Sequence, residues 1–188
     1  MRIGVLALQG GFVEHICMLK ALKVDAFEIR NPTHLAGQID GLILPGGEST
    51  VIGKLLEETE LSQPLATKIK EGLPVFGTCA GLILLANTIA NESCKYLPSI
   101  GITVRRNAYG RQLGSFHTEE VFSGIGIVPM TFIRAPYITS MDEDVHALAQ
   151  VAGKIVAAES RNILVTSFHP ELTADLRVHE YFMKKILR

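Results

Sequence analysis

In the first half of the chain, short apolar runs alternate with segments whose apolar residues return every three or four positions. Arg2 to Leu8 is such a run and ends in Gln9-Gly10-Gly11, the pattern of a buried strand followed by a turn. Phe12, Ile16, Leu19 and Leu22 then recur at helical spacing with Glu14, His15 and Lys20 between them, which predicts an amphipathic helix. Val24 to Arg30 is rich in β-formers and stops at Asn31-Pro32. Gly41 to Leu44 is a very short strand cut off by Pro45-Gly46-Gly47. Leu61 to Glu71 reads as a helix closed by Gly72. Leu73 to Phe76 is another buried strand, and the Gly77-Thr78-Cys79 turn leads into a helix-like run, Ala80 to Ala90. Strands alternating with helices predict a parallel sheet with helices on both faces.

The second half has a different rhythm. Ile100 to Arg105, Ser115 to Phe122, Met130 to Arg134, Val145 to Val151, Lys154 to Glu159 and Ile163 to Phe168 read as strands with few helices between them. Several are expected as antiparallel additions to one edge of the sheet. Asp175 to Leu187 closes the chain as an amphipathic helix with Leu176, Tyr181, Phe182 and Ile186 turned inward. There is no internal repeat, low-complexity segment or long linker, so a single domain over residues 1–188 is expected.

Composition narrows the function classes. With 188 residues, the chain is near the usual size of about 150 residues per domain. It is 47% hydrophobic and 20% charged, ordinary for a globular protein. Eighteen Lys and Arg against nineteen Asp and Glu leave a formal charge of −1, so there is no electrostatic case for nucleic acid or an anionic membrane. No apolar run approaches the roughly 20 residues that span a bilayer, and the N-terminus lacks the pattern of a signal peptide. Three widely spaced cysteines, Cys17, Cys79 and Cys94, suggest a reduced, cytoplasmic protein.

The most informative segment is Phe76-Gly77-Thr78-Cys79-Ala80-Gly81. A strand running into Gly-x-Cys-x-Gly and then a helix is the nucleophile-elbow pattern with Cys in place of Ser. So sharp a turn strains the backbone at the nucleophile and crowds its neighbours, and flanking glycines remove the clash. The helix N-terminus points free N–H groups at the sulfur, which favours the thiolate. Cys17 and Cys94 lack such surroundings and read as inert, buried thiols.

A thiolate that attacks an acyl group needs a proton shuttle. His169 is the best candidate, because it ends the apolar strand Ile163 to Phe168 and is followed by Pro170 and Glu171. In an extended segment, residues i and i+2 project to the same side, which lets Glu171 hold the imidazole. His15 and His179 fall on predicted helices and read as surface groups, and His34, His117 and His146 have no evident partner. No cluster has metal-ligand spacing, so no metal or other cofactor is expected.

The third piece is Leu44-Pro45-Gly46-Gly47-Glu48-Ser49-Thr50. Two glycines let the main chain approach a ligand and present N–H groups, as an oxyanion hole requires. The second donor would be the N–H of Ala80, after the nucleophile. The plainer reading is a tight turn with Ser49 as helix N-cap, and Ser49 fits that place in either case. As a phosphate loop the segment is poor, since it lacks a Lys and Glu48 repels phosphate.

With these pieces in view, the chain resembles the class I (triad) glutamine amidotransferases. More narrowly it resembles the branch that serves as glutaminase subunit of pyridoxal 5′-phosphate synthase. The similarity covers nearly the whole chain. It includes Gly4 to Gly10 with Glu14-His15, Gly41 to Thr50 and Gly77-Thr78-Cys79-Ala80-Gly81. It continues through Arg106-Asn107-Ala108-Tyr109-Gly110-Arg111-Gln112, Phe132-Ile133-Arg134-Ala135-Pro136 and Phe168-His169-Pro170-Glu171-Leu172. The Arg106 to Gln112 and Phe132 to Pro136 segments carry the narrower resemblance. Arg105 and His117 stand where acidic residues are usual, and Asn91 to Pro98 matches poorly.

The resemblance implies an α/β three-layer sandwich around a mostly parallel sheet with antiparallel edge strands. It implies that Cys79 is the nucleophile, with His169 and Glu171 as its relay. Gly46, Gly47, Glu48, Arg106, Ile133 and Arg134 would contact L-glutamine. An acid such as Glu48 suits the α-ammonium, and an Arg suits the α-carboxylate through its fork; which Arg does so is open. The implied reaction is hydrolysis of L-glutamine to glutamate and ammonia. The ammonia would pass to a synthase subunit, a (β/α)₈ barrel, in a hetero-oligomer that makes pyridoxal 5′-phosphate. The isolated glutaminase would be nearly silent, with the Gly46-Gly47 donor turned away until docking and the Gln9-Gly10 loop reporting the partner. Competing readings are a γ-glutamyl or peptide hydrolase, a glutaminase serving a different synthase, and a silent regulatory module of the same fold. The branch segments speak against the first two, and the intact Cys79, His169 and Glu171 against the third.

Overall fold

The computed structural model describes residues 1–106 and 114–187. Five parallel strands form one half of the sheet: β1 (Arg2–Leu6), β2 (Asp25–Ile29), β3 (Gly41–Leu44), β4 (Val75–Thr78) and β12 (Ile163–Thr166). They lie in the order β2-β1-β3-β4-β12, with every neighbouring pair parallel. From β12 the sheet continues antiparallel through β11 (Lys154–Ser160), β10 (His146–Val151), β7 (Ser115–Phe122) and β8 (Gly126–Ile133). A side branch of β5 (Ala86–Ile89), β6 (Ile100–Arg105) and β9 (Tyr137–Met141) joins through β9 to β11.

Alternation along the central strands divides the core between the two faces. Ile43, Phe76 and Leu164 pack with Ile16 and Leu19 of α1 (Phe12–Ala21) and with Val178 and Phe182 of α5 (Arg177–Ile186). Leu42, Leu44, Val75, Ile163 and Val165 point the other way. They meet Ile52 and Leu56 of α2 (Ser49–Glu58), Leu65 and Ile69 of α3 (Ser62–Lys70) and Leu82 to Leu85 of α4 (Ala80–Leu85). The three-layer α/β arrangement and the antiparallel additions are therefore as expected.

Details differ. The run Ala80 to Ala90 is helical only to Leu85. Ala86 turns extended, and Thr88 and Ile89, poorer helix formers, pair with β6 instead. Strand β9 follows the kinked Arg134 and was not expected as a separate element. In α5 the fully buried positions are Val178, His179 and Phe182, while Leu176, Tyr181 and Ile186 are only half-buried. The helix N-cap after β3 is Glu48, whose Oε1 accepts from the Thr50 N–H at 3.3 Å, and Ser49 is the first helical residue. Among the described residues, no helix is long and apolar enough to cross a membrane.

Candidate active site

The central parallel strands end side by side, and their C-terminal ends deliver the site. Strand β4 delivers Cys79, which adopts φ 48° and ψ −97°. That left-handed geometry strains a residue with a side chain and persists only where its surroundings fix it. They do so tightly. A Cβ on Gly81 would lie 2.0 Å from the Leu44 carbonyl oxygen, and one on Gly77 would lie 2.7 Å from the Gly81 carbonyl. The Cys79 N–H also donates to the Thr166 carbonyl at 2.7 Å, tying the elbow to β12.

Strand β12 delivers His169, whose N–H donates to the Thr131 carbonyl at 2.8 Å. Its Nδ1 lies 2.7 Å from Glu171 Oε1, and His169 and Cys79 face the same cleft. The expected contact is therefore present, but through a different backbone. Pro170 to Leu172 form a single 3₁₀ turn rather than an extended segment, and Pro170 presets its first position. Burial opposes charge on His169, yet its interactions with Cys79 and Glu171 as hydrogen-bond acceptors and negative charges push its pKa up to about 10. Burial likewise opposes ionisation of Glu171, but His15, the hydrogen bond with His169 and the charge of His169 hold it below the usual carboxylate range.

Gly46, at the end of β3, comes hard against this pair, since a Cβ there would lie 2.2 Å from His169 Cε1 and 3.3 Å from Cys79 Cβ. The Gly46 carbonyl accepts the Gly11 N–H at 3.0 Å, and the Glu48 N–H donates to Gln9 Oε1 at 2.8 Å. Gln9 and Gly10 thus touch the Gly46-Gly47-Glu48 turn directly. Gly10, at φ 101°, leaves no room for a side chain against the Gly46 carbonyl.

An open cleft of about 180 Å³ lies over Cys79 and His169. Gly47, Glu48, Ala80, Arg106, Ile133 and Arg134 all line it, so these expected residues are brought together. Cys79 Sγ lies 3.9 Å from the Ile133 carbonyl oxygen. Arg106 is held by Glu92 at 3.0 Å, the Thr50 hydroxyl at 3.1 Å and the Tyr96 hydroxyl at 3.1 Å, and its Nη1 lies 4.0 Å from Glu48 Oε1. Arg134 is exposed, with φ 43°. The remainder of the branch segment, Asn107 to Gln112, lies outside the described residues. Among the described residues, no group of His, Cys, Asp or Glu gathers in a way that could hold a metal ion.

Three expectations fail. His15 and His179 are fully buried rather than on the surface, because each sits on its helix's apolar stripe. His15 lies three residues after Phe12 and four before Leu19, and His179 three before Phe182, a phase the spacing already carried. Cys17 and Cys94 are exposed rather than buried. His34 and His117 have partners, the Arg30 N–H at 3.1 Å and the Thr131 hydroxyl at 2.9 Å.

A strand-ending Cys that shares a cleft with a His held in turn by a Glu is an arrangement for acyl transfer. The family model of the SNO glutamine amidotransferase family matches residues 5–188. The chain belongs to this family. It is 55% identical over 186 residues to the pyridoxal 5′-phosphate synthase subunit PdxT of Desulfitobacterium hafniense, covering 99% of this chain and 94% of the relative. It is 54% identical to the PdxT of Haemophilus influenzae, with 97% of each chain covered. A crystal structure of a glutamine amidotransferase superposes with a TM-score of 0.94 at 42% identity, covering all of both chains. A glutamine amidotransferase structure from Thermotoga maritima shares the fold at 14% identity, with a TM-score of 0.65 over 100% of this chain and 84% of that one.

Proposed function

We propose that this chain is the glutaminase subunit of a pyridoxal 5′-phosphate synthase, hydrolysing L-glutamine with Cys79, His169 and Glu171. The observation that carries the reading is the Cys79–His169–Glu171 arrangement at the floor of a cleft lined by both acidic and basic side chains.

The thiolate of Cys79 attacks the side-chain amide carbon of glutamine. The oxyanion is held by the N–H groups of Ala80 and Gly47. His169, protonated at neutral pH, gives its proton to the leaving nitrogen; the C–N bond breaks and ammonia departs. Water then loses a proton to His169 and attacks the γ-glutamyl thioester, which releases glutamate and the thiolate. Glu48 faces the α-ammonium of the substrate. Arg106 takes the α-carboxylate, because Thr50, Tyr96 and Glu92 already fix its guanidinium and its two terminal nitrogens each keep a second N–H to offer. Arg134 adds positive charge at the rim, and the main chain at Gly46 and Ile133 shapes the side-chain slot.

The partner that receives ammonia is a (β/α)₈-barrel synthase subunit, docking over Gln9 and Gly10. The Gly46 peptide is tied to that loop through the Gly11 N–H, so a loop displaced by the partner frees this peptide to turn its Gly47 N–H toward the oxyanion. A thiol nucleophile and two exposed thiols suit a reducing cytoplasm. The test is glutamate release from L-glutamine with and without the synthase subunit. Release that rises strongly on complex formation and vanishes in Cys79→Ala supports the reading; a formed complex without release overturns it.

A further inference from the structure

Behind the Cys79–His169–Glu171 line stand two histidines that the reaction above leaves unused. Glu171 Oε1 is taken by His169, whereas its buried Oε2 has no hydrogen bond. His15 faces Oε2, its Nε2 standing 3.4 Å away in ion-pair range while the same nitrogen makes its hydrogen bond with the Thr78 hydroxyl at 3.1 Å. His15 Nδ1 lies 2.9 Å from His179 Nε2, and His179 Nδ1 is buried without a partner. The four residues come from α1, β4, the 3₁₀ turn and α5, so the two helices on one face of the sheet converge on the carboxylate.

The protons can be assigned from these contacts. A lone pair on His15 Nε2 would face the carboxylate, so that nitrogen carries the hydrogen. His15 Nδ1 is then an acceptor, and the donor at hand is His179 Nε2–H. This leaves His179 Nδ1 bare, which agrees with its having no acceptor nearby. We propose that His15 is a positioning residue for the hydrolysis, presenting Nε2–H to the second oxygen of Glu171, and that His179 fixes the tautomer in which it does so. No proton travels along this chain; its effect is to keep Glu171 ionised and aimed at His169 Nδ1.

The surroundings favour the neutral forms this needs. Burial pushes the pKa of His15 down, with Glu171 and Glu14 opposing and His169 assisting. Burial and the neighbouring His15 push His179 down to about 3, Glu171 opposing. The other face of this pair is apolar, with Phe76 edge-on to both rings.

The inference rests on the proposed glutaminase reading, and the controls keep the two apart. The experiment measures kcat, KM and the pH profile of glutamine hydrolysis, from about pH 3.5 to 9.5, for the complex with the synthase subunit. Wild type and Cys79→Ala test the reading itself. If wild type is silent, or Cys79→Ala is active, the reading fails and this inference falls with it. Given Cys79-dependent activity, His15→Leu is expected to lower kcat about 10- to 100-fold, the scale of losing an outer partner of a working side chain. KM should stay within about twofold, and the acid limb should move up by about one pH unit as Glu171 becomes easier to protonate. His15→Gln, whose amide reaches the Nε2 position, should recover most of kcat and the original limb. His15→Asn, whose amide reaches only the Nδ1 position, should not. The Gln and Asn pair keeps the test decisive if the Leu variant does not fold. Gln and Asn variants equally impaired with unmoved acid limbs, or a Leu variant with wild-type kcat and profile, would overturn the proposal.

Discussion

His169 has two very different sides. Toward the cleft it faces Cys79 and, beyond it, Glu48, Arg106 and Arg134, charged groups that water reaches. Toward the interior it faces Glu171, then His15 and His179, all buried. In water, charges are screened and exchangeable, so the open side is suited to selecting and releasing a zwitterion. In the dry interior a single carboxylate dominates the field, and the neighbouring imidazoles serve as neutral dipoles. The lesson is that substitutions on the open side should act through KM, whereas those on the closed side should act through kcat and pH together.

The line between the sides is the sharpest place to break this account. Cys79→Ala should lower glutamate release on the order of 10³-fold or more while leaving the thermal midpoint nearly unchanged, as turnover and calorimetry would show. Glu171→Gln should lower kcat on the order of 10²- to 10⁴-fold, because the amide disturbs the His169 tautomer. Gly46→Ala should cost on the order of 10²-fold in kcat, since the new methyl meets His169 Cε1 at 2.2 Å and shifts the ring. Equal turnover in Gly46→Ala would show that the ring has slack that the contacts do not suggest.

The open side predicts a smaller effect of another kind. Arg106→Ala should raise KM about 10- to 100-fold with kcat little changed, the scale of a charged hydrogen bond to a carboxylate. Arg106→Lys should not restore it, because an ammonium lacks the fork. Arg134→Ala should change KM only a few-fold. Reversed values for the two arginines would move the carboxylate contact to Arg134.

A further effect falls on stability. The pKa of His179 is depressed to about 3 from an ordinary 6.5, so the unfolded chain binds one more proton than the folded one in that interval. Its contribution is complete above pH 6.5 and is lost as pH falls toward 3, at about 1.4 kcal/mol per pH unit. His169, raised to about 10, acts in the opposite direction, and its contribution fades as pH rises from 6.5 to 10. Denaturant midpoints measured against pH should therefore fall less steeply on the acid side in His179→Leu than in wild type.

The open side of the site was the more legible in sequence. Cys79, Gly46-Gly47 and His169 each end an apolar strand, and strand ends that neighbour in a parallel sheet converge whatever the loops do. The closed side was hidden by residue type. His15 and His179 have the polarity of surface groups, and only their phase on the apolar stripes of α1 and α5 marks them as buried. Loop geometry was also hidden, because the 3₁₀ turn that brings Glu171 to His169 places the same two residues together as an extended segment would. The run after Cys79 misled for a local reason, since Ala86 to Ile89 follow the helix with no Gly or Pro to mark its end and leave it through pairing with β6.

The central claim is that Cys79 forms a γ-glutamyl thioester. The most direct measurement is acid-quenched peptide mass spectrometry of the complex with the synthase subunit after mixing with L-glutamine. The account predicts a glutamyl adduct confined to the Cys79 peptide and absent in Cys79→Ala. Turnover without that adduct under rapid quench, or an adduct on the exposed Cys17 or Cys94, would contradict it.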